Sequence, residues 1–323
     1  MISERQIKKV VENAGYKILN LEAGKHFKLQ VSNPEGRTAK IVVSNSPRSQ
    51  SHWPYFVLAD INEQRCVDAL KNLDNPDRFL TAKVDANNKD DLVALARAHK
   101  IDIIVNACDP RLNDPIFEAA FEAGCTYVDM AMNLSKPHPT NPYNEVGEPL
   151  GAAQLAADPQ WRDRGLLALV GMGVEPGLSN VFARYAADHL FDTIDEIGVR
   201  DGSNLSIDGF DFAPTFSIWT TIEECLNPPI VWEKSRGLFT TEIFSEPEVF
   251  HFPAGIGAYE CVNVEHEEVL LIPREIECNR VTFKYSLGAE FIDWLKTFAY
   301  LGLDRTEKVR VGDVSVAPRD VLA

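Results

Sequence analysis

From Pro54 to Ala131, short apolar runs alternate with amphipathic stretches long enough to be crossover helices. That alternation restricts this part of the chain to a parallel sheet wrapped by helices. PYFVLAD reads as a strand, and NEQRCVDALKNL as a helix with Cys66, Ala69, Leu70 and Leu73 on one face. RFLTAKVDA contains a second strand, and KDDLVALARAH is a helix with Leu92, Leu95 and Ala96 turned inward. KIDIIVNACDP has the near-continuous apolar run of a central parallel strand. NDPIFEAAFEAG is a helix stopped by Gly124, and CTYVDMA is a further strand. Right-handed crossovers then bring the strand ends Asp60, Asp85, Asn106 with Ala107, and Asp129 to one edge. Open α/β sheets bind their ligands at that edge.

A strand ending in an acidic residue, as FVLAD does, is characteristic of the second strand of a dinucleotide-binding fold. The carboxylate of Asp60 would accept hydrogen bonds from the ribose hydroxyls of an adenosine and repel a 2′-phosphate, which favours NAD over NADP. The same aspartate also suits a helix N-cap. A glycine-rich turn and a helix should precede such a strand by about 20 residues. No glycine occurs between Gly36 and Gly124, and SNSPRSQSHW is too short and polar for a crossover helix. The expected architecture is therefore a Rossmann-like parallel sheet lacking its first strand and phosphate loop, with apolar edges left open.

The segment before it differs in charge. Residues 1–52 hold nine Lys and Arg against four Glu, a balance of +5, in a chain whose net charge is -16. The acidic bulk argues against nucleic acid binding, which is left possible only for residues 1–53. There ERQIKKVVENAGY has helical spacing at Ile7, Val10, Val11 and Ala14, and KILNLEA, HFKLQVS and TAKIVVS read as antiparallel strands. Helix followed by strands, with Gly24-Lys25-His26 opening the second, is similar to the small RNA-binding fold of HicA type. AKIVVS could instead act as a surrogate edge strand for the parallel sheet.

FVLADIN, IIVNACDPRLN, YVDMAMNLSKPHP and LVGMGVEPGLSNVFARYAADHLF together resemble the saccharopine dehydrogenase family from about Tyr55 to Ala323. The resemblance implies a dinucleotide-binding domain, taken as residues 54–150, and an α+β substrate and dimerisation domain over 151–323, ending in a helix just begun at Pro318. It implies NAD(P)-dependent oxidation or reduction of a CH–NH group in a secondary amine of amino-acid type, and a homodimer. Asp60, Asn106, Ala107, Asp129, Gly173 and Gly177 would line the cofactor. Free amides of the Gly177-Leu178 turn would hold a carboxylate or a carboxamide, and Pro176 suits the first turn of the following helix.

In the second domain, TIDEIGVRDG, GFDFAP, PPIVWEK, GLFTTEIF and CNRVTFKYSL read as a mostly antiparallel sheet, with SIWTTIEECL and GAEFIDWLKTFAYLGL as helices. A zwitterionic substrate needs both carboxylates and cations, and Asp211, Trp219, Thr220, Arg274 and Lys284 are candidates to bind it. ECVNVEHEEVLLIP places His266 among Glu260, Glu265, Glu267 and Glu268. Neighbouring carboxylates favour imidazolium, a proton donor to an imine, so His266 and Glu265 are the catalytic candidates. The loop MNLSKPHPTNPYNEVGEPLG, with Lys136, His138 and Tyr143, suits a lid or domain link. Six scattered cysteines without CxxC spacing, no apolar span of membrane length and no signal peptide suggest a reduced, cytoplasmic protein without a metal site.

Overall fold

The computed structural model describes residues 8–9, 11–12, 17–22, 26–32, 38–44, 56–73, 75–204, 208–209 and 217–322. The chain divides into two compact units, Met1–Asp85 and Ala86–Ala323.

In the first unit β1 (Lys17–Glu22), β2 (His26–Ser32) and β3 (Thr38–Ser44) form an antiparallel meander, as the alternation in HFKLQVS predicts. β4 (Phe56–Asp60) and β5 (Phe79–Lys83) form a separate parallel pair, in register from Phe56↔Phe79 to Asp60↔Lys83. Between them α1 (Glu63–Leu70) starts where the Asn62 side chain accepts from the Gln64 amide, and it buries Cys66. Among the described residues β3 pairs with β2 alone, so AKIVVS does not serve as an added strand of the parallel sheet.

The second unit begins with α2 (Lys89–His99), β6 (Ile103–Asn106), α3 (Asn113–Ala123), β7 (Thr126–Asp129), α4 (Ala152–Ala156), α5 (Asp158–Asp163) and β8 (Ala168–Leu169). β6, β7 and β8 are parallel and adjacent in that order. Gly124, at φ 78°, closes α3 in the left-handed conformation that glycine adopts freely. Ala96, Ile116, Ala120, Tyr127 and Trp161 make the core on one side of this sheet. Ile103 and Val105 of β6 point away from it, and Val105 is 63% exposed.

The described parallel strands thus form a pair and a trio. In the doubly wound order 3-2-1-4-5-6 the first strand lies between the second and the fourth. β4 and β6, which take those two places in the chain, each keep one unpaired edge among the described residues.

A larger sheet follows, containing β9 (Glu196–Asp201), β10 (Ile230–Glu233), β11 (Gly237–Thr240), β12 (Glu248–Phe252), β13 (Gly257–Asn263) and β14 (Arg280–Tyr285). Its order is β11-β10-β14-β13-β12, with β9 parallel to β14. β9, β10, β11 and β14 lie where the sequence places strands; GFDFAP falls mainly outside the described residues. Helices α6 (Leu178–His189), α7 (Ile218–Leu226), α8 (Glu268–Glu275) and α9 (Ala289–Leu301) share a core with it, built on Ile222, Val264, Val269, Val281, Phe283 and Leu295. β15 (Val309–Val311), β16 (Val314–Val316) and α10 (Pro318–Leu322) follow. The Arg319 side chain donates to Glu223 and ties α10 to α7. No described helix is long and apolar enough to cross a membrane.

Candidate active site

At the C-terminal edge of β6–β8 the expected cofactor residues hold the edge itself. Asp129 Oδ1 accepts from the Gly171 amide at 2.6 Å, and Oδ2 from Gln154 Nε2 at 2.6 Å. Burial nevertheless raises its carboxyl above the ordinary range. Asn106 Nδ2 donates to Asn113 Oδ1 at 2.7 Å, and its Oδ1 accepts from the Cys108 amide at 3.0 Å. Ala107 beside it is exposed.

The turn after β8 folds back on itself. The Gly177 amide donates to Asn180 Oδ1 at 2.9 Å and the Leu178 amide to the Gly173 carbonyl at 3.1 Å. These amides were expected to be free for an anion; they are occupied within the turn. Glycine is required here for packing. A Cβ on Gly173 would lie 2.7 Å from the Met130 carbonyl, and one on Gly177, at φ 131°, 2.3 Å from the Gly173 carbonyl. α6 starts at Leu178, so Pro176 precedes the helix rather than entering it.

A buried cluster stands at the start of α8. The His266 ring is 2% exposed and stacks on Phe283 with centroids 3.7 Å apart. Its Nδ1 lies 2.5 Å from Glu268 Oε2 and 3.4 Å from Glu267 Oε2. Its Nε2 lies 3.4 Å from the hydroxyl of Tyr285, which donates to Glu224 Oε2 at 3.1 Å. Burial by itself would push the imidazole down, but the carboxylates of Glu268, Glu267 and Glu224 hold it up at about 10, so it is an imidazolium at neutral pH. Burial opposes ionisation of Glu268 as well, yet His266 keeps its carboxyl below the usual range. His266, Glu267 and Glu268 offer donor atoms within 4.8 Å of one another. The short His266–Glu268 contact makes the trio an ion-pair cluster.

Two further carboxylates complete it. Asp201, which ends β9, is raised by burial. Glu175, on the turn between β8 and α6, is raised by burial and by Asp201 to about 7, against the pull of His266. Ser179 Oγ donates to Glu268 Oε1 at 2.6 Å and joins the first turn of α6 to the cluster. Sequence reasoning missed Glu175, Asp201, Glu224 and Tyr285. The period of two in β14 and the acid inside GVEPG were the available signals.

The remaining candidates do not gather there. Glu265 points elsewhere: its Oε2 accepts from Ser135 Oγ at 2.8 Å and Asn227 Nδ2 at 2.9 Å. It lines a shallow pocket with Ser135, Lys136, Glu148 and Thr240. Trp219 has Arg111 and Arg319 over its ring, at 3.9 and 4.7 Å from the centroid. Ser217 caps α7, its Oγ accepting from the Thr220 amide. Lys284 pairs with Glu248 at 2.9 Å, Arg274 is exposed in the last turn of α8, and Asp211 lies outside the described residues. In the first unit Asp60 Oδ1 accepts from the Asn62 amide at 2.8 Å, and Arg65 approaches its other oxygen to 3.7 Å.

Residues 36–169 match the saccharopine dehydrogenase NADP binding domain. That segment is similar to the nucleotide-binding domain of this family. The match begins at Gly36 and so includes β3. The chain is 27% identical over 264 residues to carboxynorspermidine synthase of Vibrio cholerae, covering 80% of this chain and 62% of that protein. It is 25% identical over 287 residues to carboxyaminopropylagmatine dehydrogenase of Synechocystis, covering 87% and 68%. Apo saccharopine dehydrogenase (L-Glu forming) of Saccharomyces cerevisiae has the same fold over 78% of this chain and 58% of its own, with a TM-score of 0.51 and 12% identity. The chain spans about six tenths of the length of the first of these relatives, 62%.

Asp60 ends β4 with an acidic side chain, the residue type that accepts from a ribose in dinucleotide-binding folds. The glycine turn that brings backbone amides to a pyrophosphate is missing between Gly36 and Gly124.

Proposed function

We propose that this protein is an NAD(P)-linked oxidoreductase acting on the CH–NH group of a secondary amine of the kind named in its relatives, a carboxylated polyamine. The observation that carries the reading is a conjunction in one compact unit. The open end of a family-type parallel sheet and a buried acid-rich cluster around His266 are joined through the Gly171–Gly177 turn and Ser179. When bound, a nicotinamide supplies the hydride acceptor or donor. Asp60, in the first unit, is the residue suited to an adenosine ribose.

The chain's own residues supply charge and exclude water. His266 is locked by Glu268 and offers a fixed positive charge, without a free N–H on its Nδ1 side. The carboxyls of Asp201, Glu224, Glu267 and Glu175 crowd that cation, and an incoming ammonium group, unlike an anion, would favour their ionised forms. Glu265 holds the Ser135 loop against α7 and acts by positioning. Asp60 supports NAD, while Arg65 beside it can receive a 2′-phosphate, so both nucleotides are accommodated.

Reduction of NAD+ or NADP+ at 340 nm, with carboxynorspermidine as substrate, tests the reading. Amine-dependent absorbance is expected. No change at millimolar amine and nucleotide overturns it.

A further inference from the structure

We propose that Glu175 is the acid–base group that exchanges a proton with the substrate nitrogen. The inference rests on the amine oxidoreductase reading and assigns a role within it that the motif alone does not.

Position comes first. The turn bearing Glu175 is fixed at both ends. On one side the Gly171 amide bonds to Asp129 Oδ1, the Met172 amide donates to the Asp129 carbonyl at 2.8 Å, and Gly173 packs against Met130. On the other, the Ser179 amide donates to the Val174 carbonyl at 3.0 Å and the Ser179 hydroxyl to Glu268. Glu175 is therefore held between the C-terminal end of β7 and the His266 cluster.

Availability comes second. Each other acid of the cluster is engaged. Glu268 accepts from Ser179 and His266, Glu267 accepts from the Met132 amide at 3.0 Å, Glu224 accepts from Tyr285, and Asp201 accepts from the Gly202 amide. His266 is enclosed by Phe283, Glu268 and Tyr285. Glu175 is half-buried, and no hydrogen bond or ion pair to its carboxylate occurs among the described residues. The charges facing it are Asp201, His266 and Glu268. Burial and Asp201 raise its carboxyl to about 7, where it can take and return a proton at neutral pH.

The steps balance. In oxidation, the Glu175 carboxylate takes one proton from the nitrogen of the protonated secondary amine, giving the neutral amine and a carboxylic acid. The hydrogen on the adjacent carbon then leaves with its bonding pair as hydride to NAD(P)+. The nitrogen lone pair closes the carbon–nitrogen double bond, and the product is an iminium. In reduction, the iminium carbon gains hydride from NAD(P)H, and the resulting neutral amine takes the proton from the Glu175 acid.

Carboxyl NMR of the full chain, labelled with 13Cδ-glutamate, tests this without turnover. Comparison with Glu175→Gln identifies the Glu175 signal. It is expected to titrate near 7 without ligand, and saturating spermidine without nucleotide should lower that midpoint by about one pH unit, because an adjacent ammonium favours the carboxylate. Glu175→Gln should lose about 10²–10⁴-fold in kcat/KM together with the limb of the pH profile near neutrality, and Glu175→Asp should restore that limb. A Glu175 signal at ordinary carboxylate pH, or one that spermidine leaves unmoved, overturns the assignment even if the wild type oxidises amines. A spermidine-induced shift in a chain that reduces no nucleotide upholds the nitrogen contact and overturns the redox reading instead.

Discussion

Replacing Glu265 with glutamine should flatten the dependence of stability on pH. Glu265 is 3% exposed, and burial raises its carboxyl from the ordinary 4.5 to about 7 despite the bonds from Ser135 and Asn227. In the unfolded chain the group ionises near 4.5; in the folded protein it stays protonated until about 7. A raised folded value means that the stabilisation is complete below 4.5 and is lost as pH rises through 7. At pH 6 the folded state holds almost one more proton at this site than the unfolded state. The slope from this residue is therefore about -1.2 kcal/mol per pH unit, and the total loss from pH 4 to pH 8 is about 3 kcal/mol. Glutamine keeps the size and the acceptor without the charge. Glu175 and Glu224, raised in the same direction, remain in both proteins, so the difference isolates Glu265. Urea unfolding at pH 5, 6, 7 and 8 measures it. Glu265→Gln should gain on wild type by about 1 kcal/mol per unit between pH 5 and 7. Parallel stability curves, within about 0.5 kcal/mol across that range, would show that the buried carboxyl is ionised in the folded protein and refute the reasoning.

Gly177→Ala combines a φ of 131° with a Cβ contact of 2.3 Å to backbone. The strain and overpacking together cost about 3–5 kcal/mol, read as a lowered urea midpoint; a loss below about 1 kcal/mol would mean the turn relaxes freely. Asp60→Ala should weaken NADH binding by about tenfold and NADPH binding less, followed by nicotinamide fluorescence, because only the former uses the carboxylate at the ribose 2′-hydroxyl; equal losses would remove Asp60 from the ribose.

The parallel strands, their helices and the missing glycine turn were legible because alternation and glycine usage are local properties of the sequence. The acid-rich cluster was only half legible. ECVNVEHEEVLLIP showed the charges, but a run of acids normally marks a solvated face. Burial of Glu265, His266, Glu267 and Glu268 depends on elements distant in the chain, such as the helix that brings Ser179 to Glu268. Glu265 and His266 were paired in the sequence reading because they are neighbours; in the structure they point to different surroundings. Asn106 and Asp129 end strands at the right edge, yet their side chains face inward to Asn113 and Gln154, which strand position cannot reveal. Glu175 was visible in GVEPG, but glycine and proline dominate that motif.

Hydride transfer from a labelled amine tests the central claim most directly. Carboxynorspermidine deuterated at the carbons beside the secondary nitrogen is incubated with NADP+ and with NAD+, and the reduced nucleotide is analysed by mass spectrometry. Deuterium in the nicotinamide ring is the expected result. Unlabelled nucleotide with unchanged amine would contradict it.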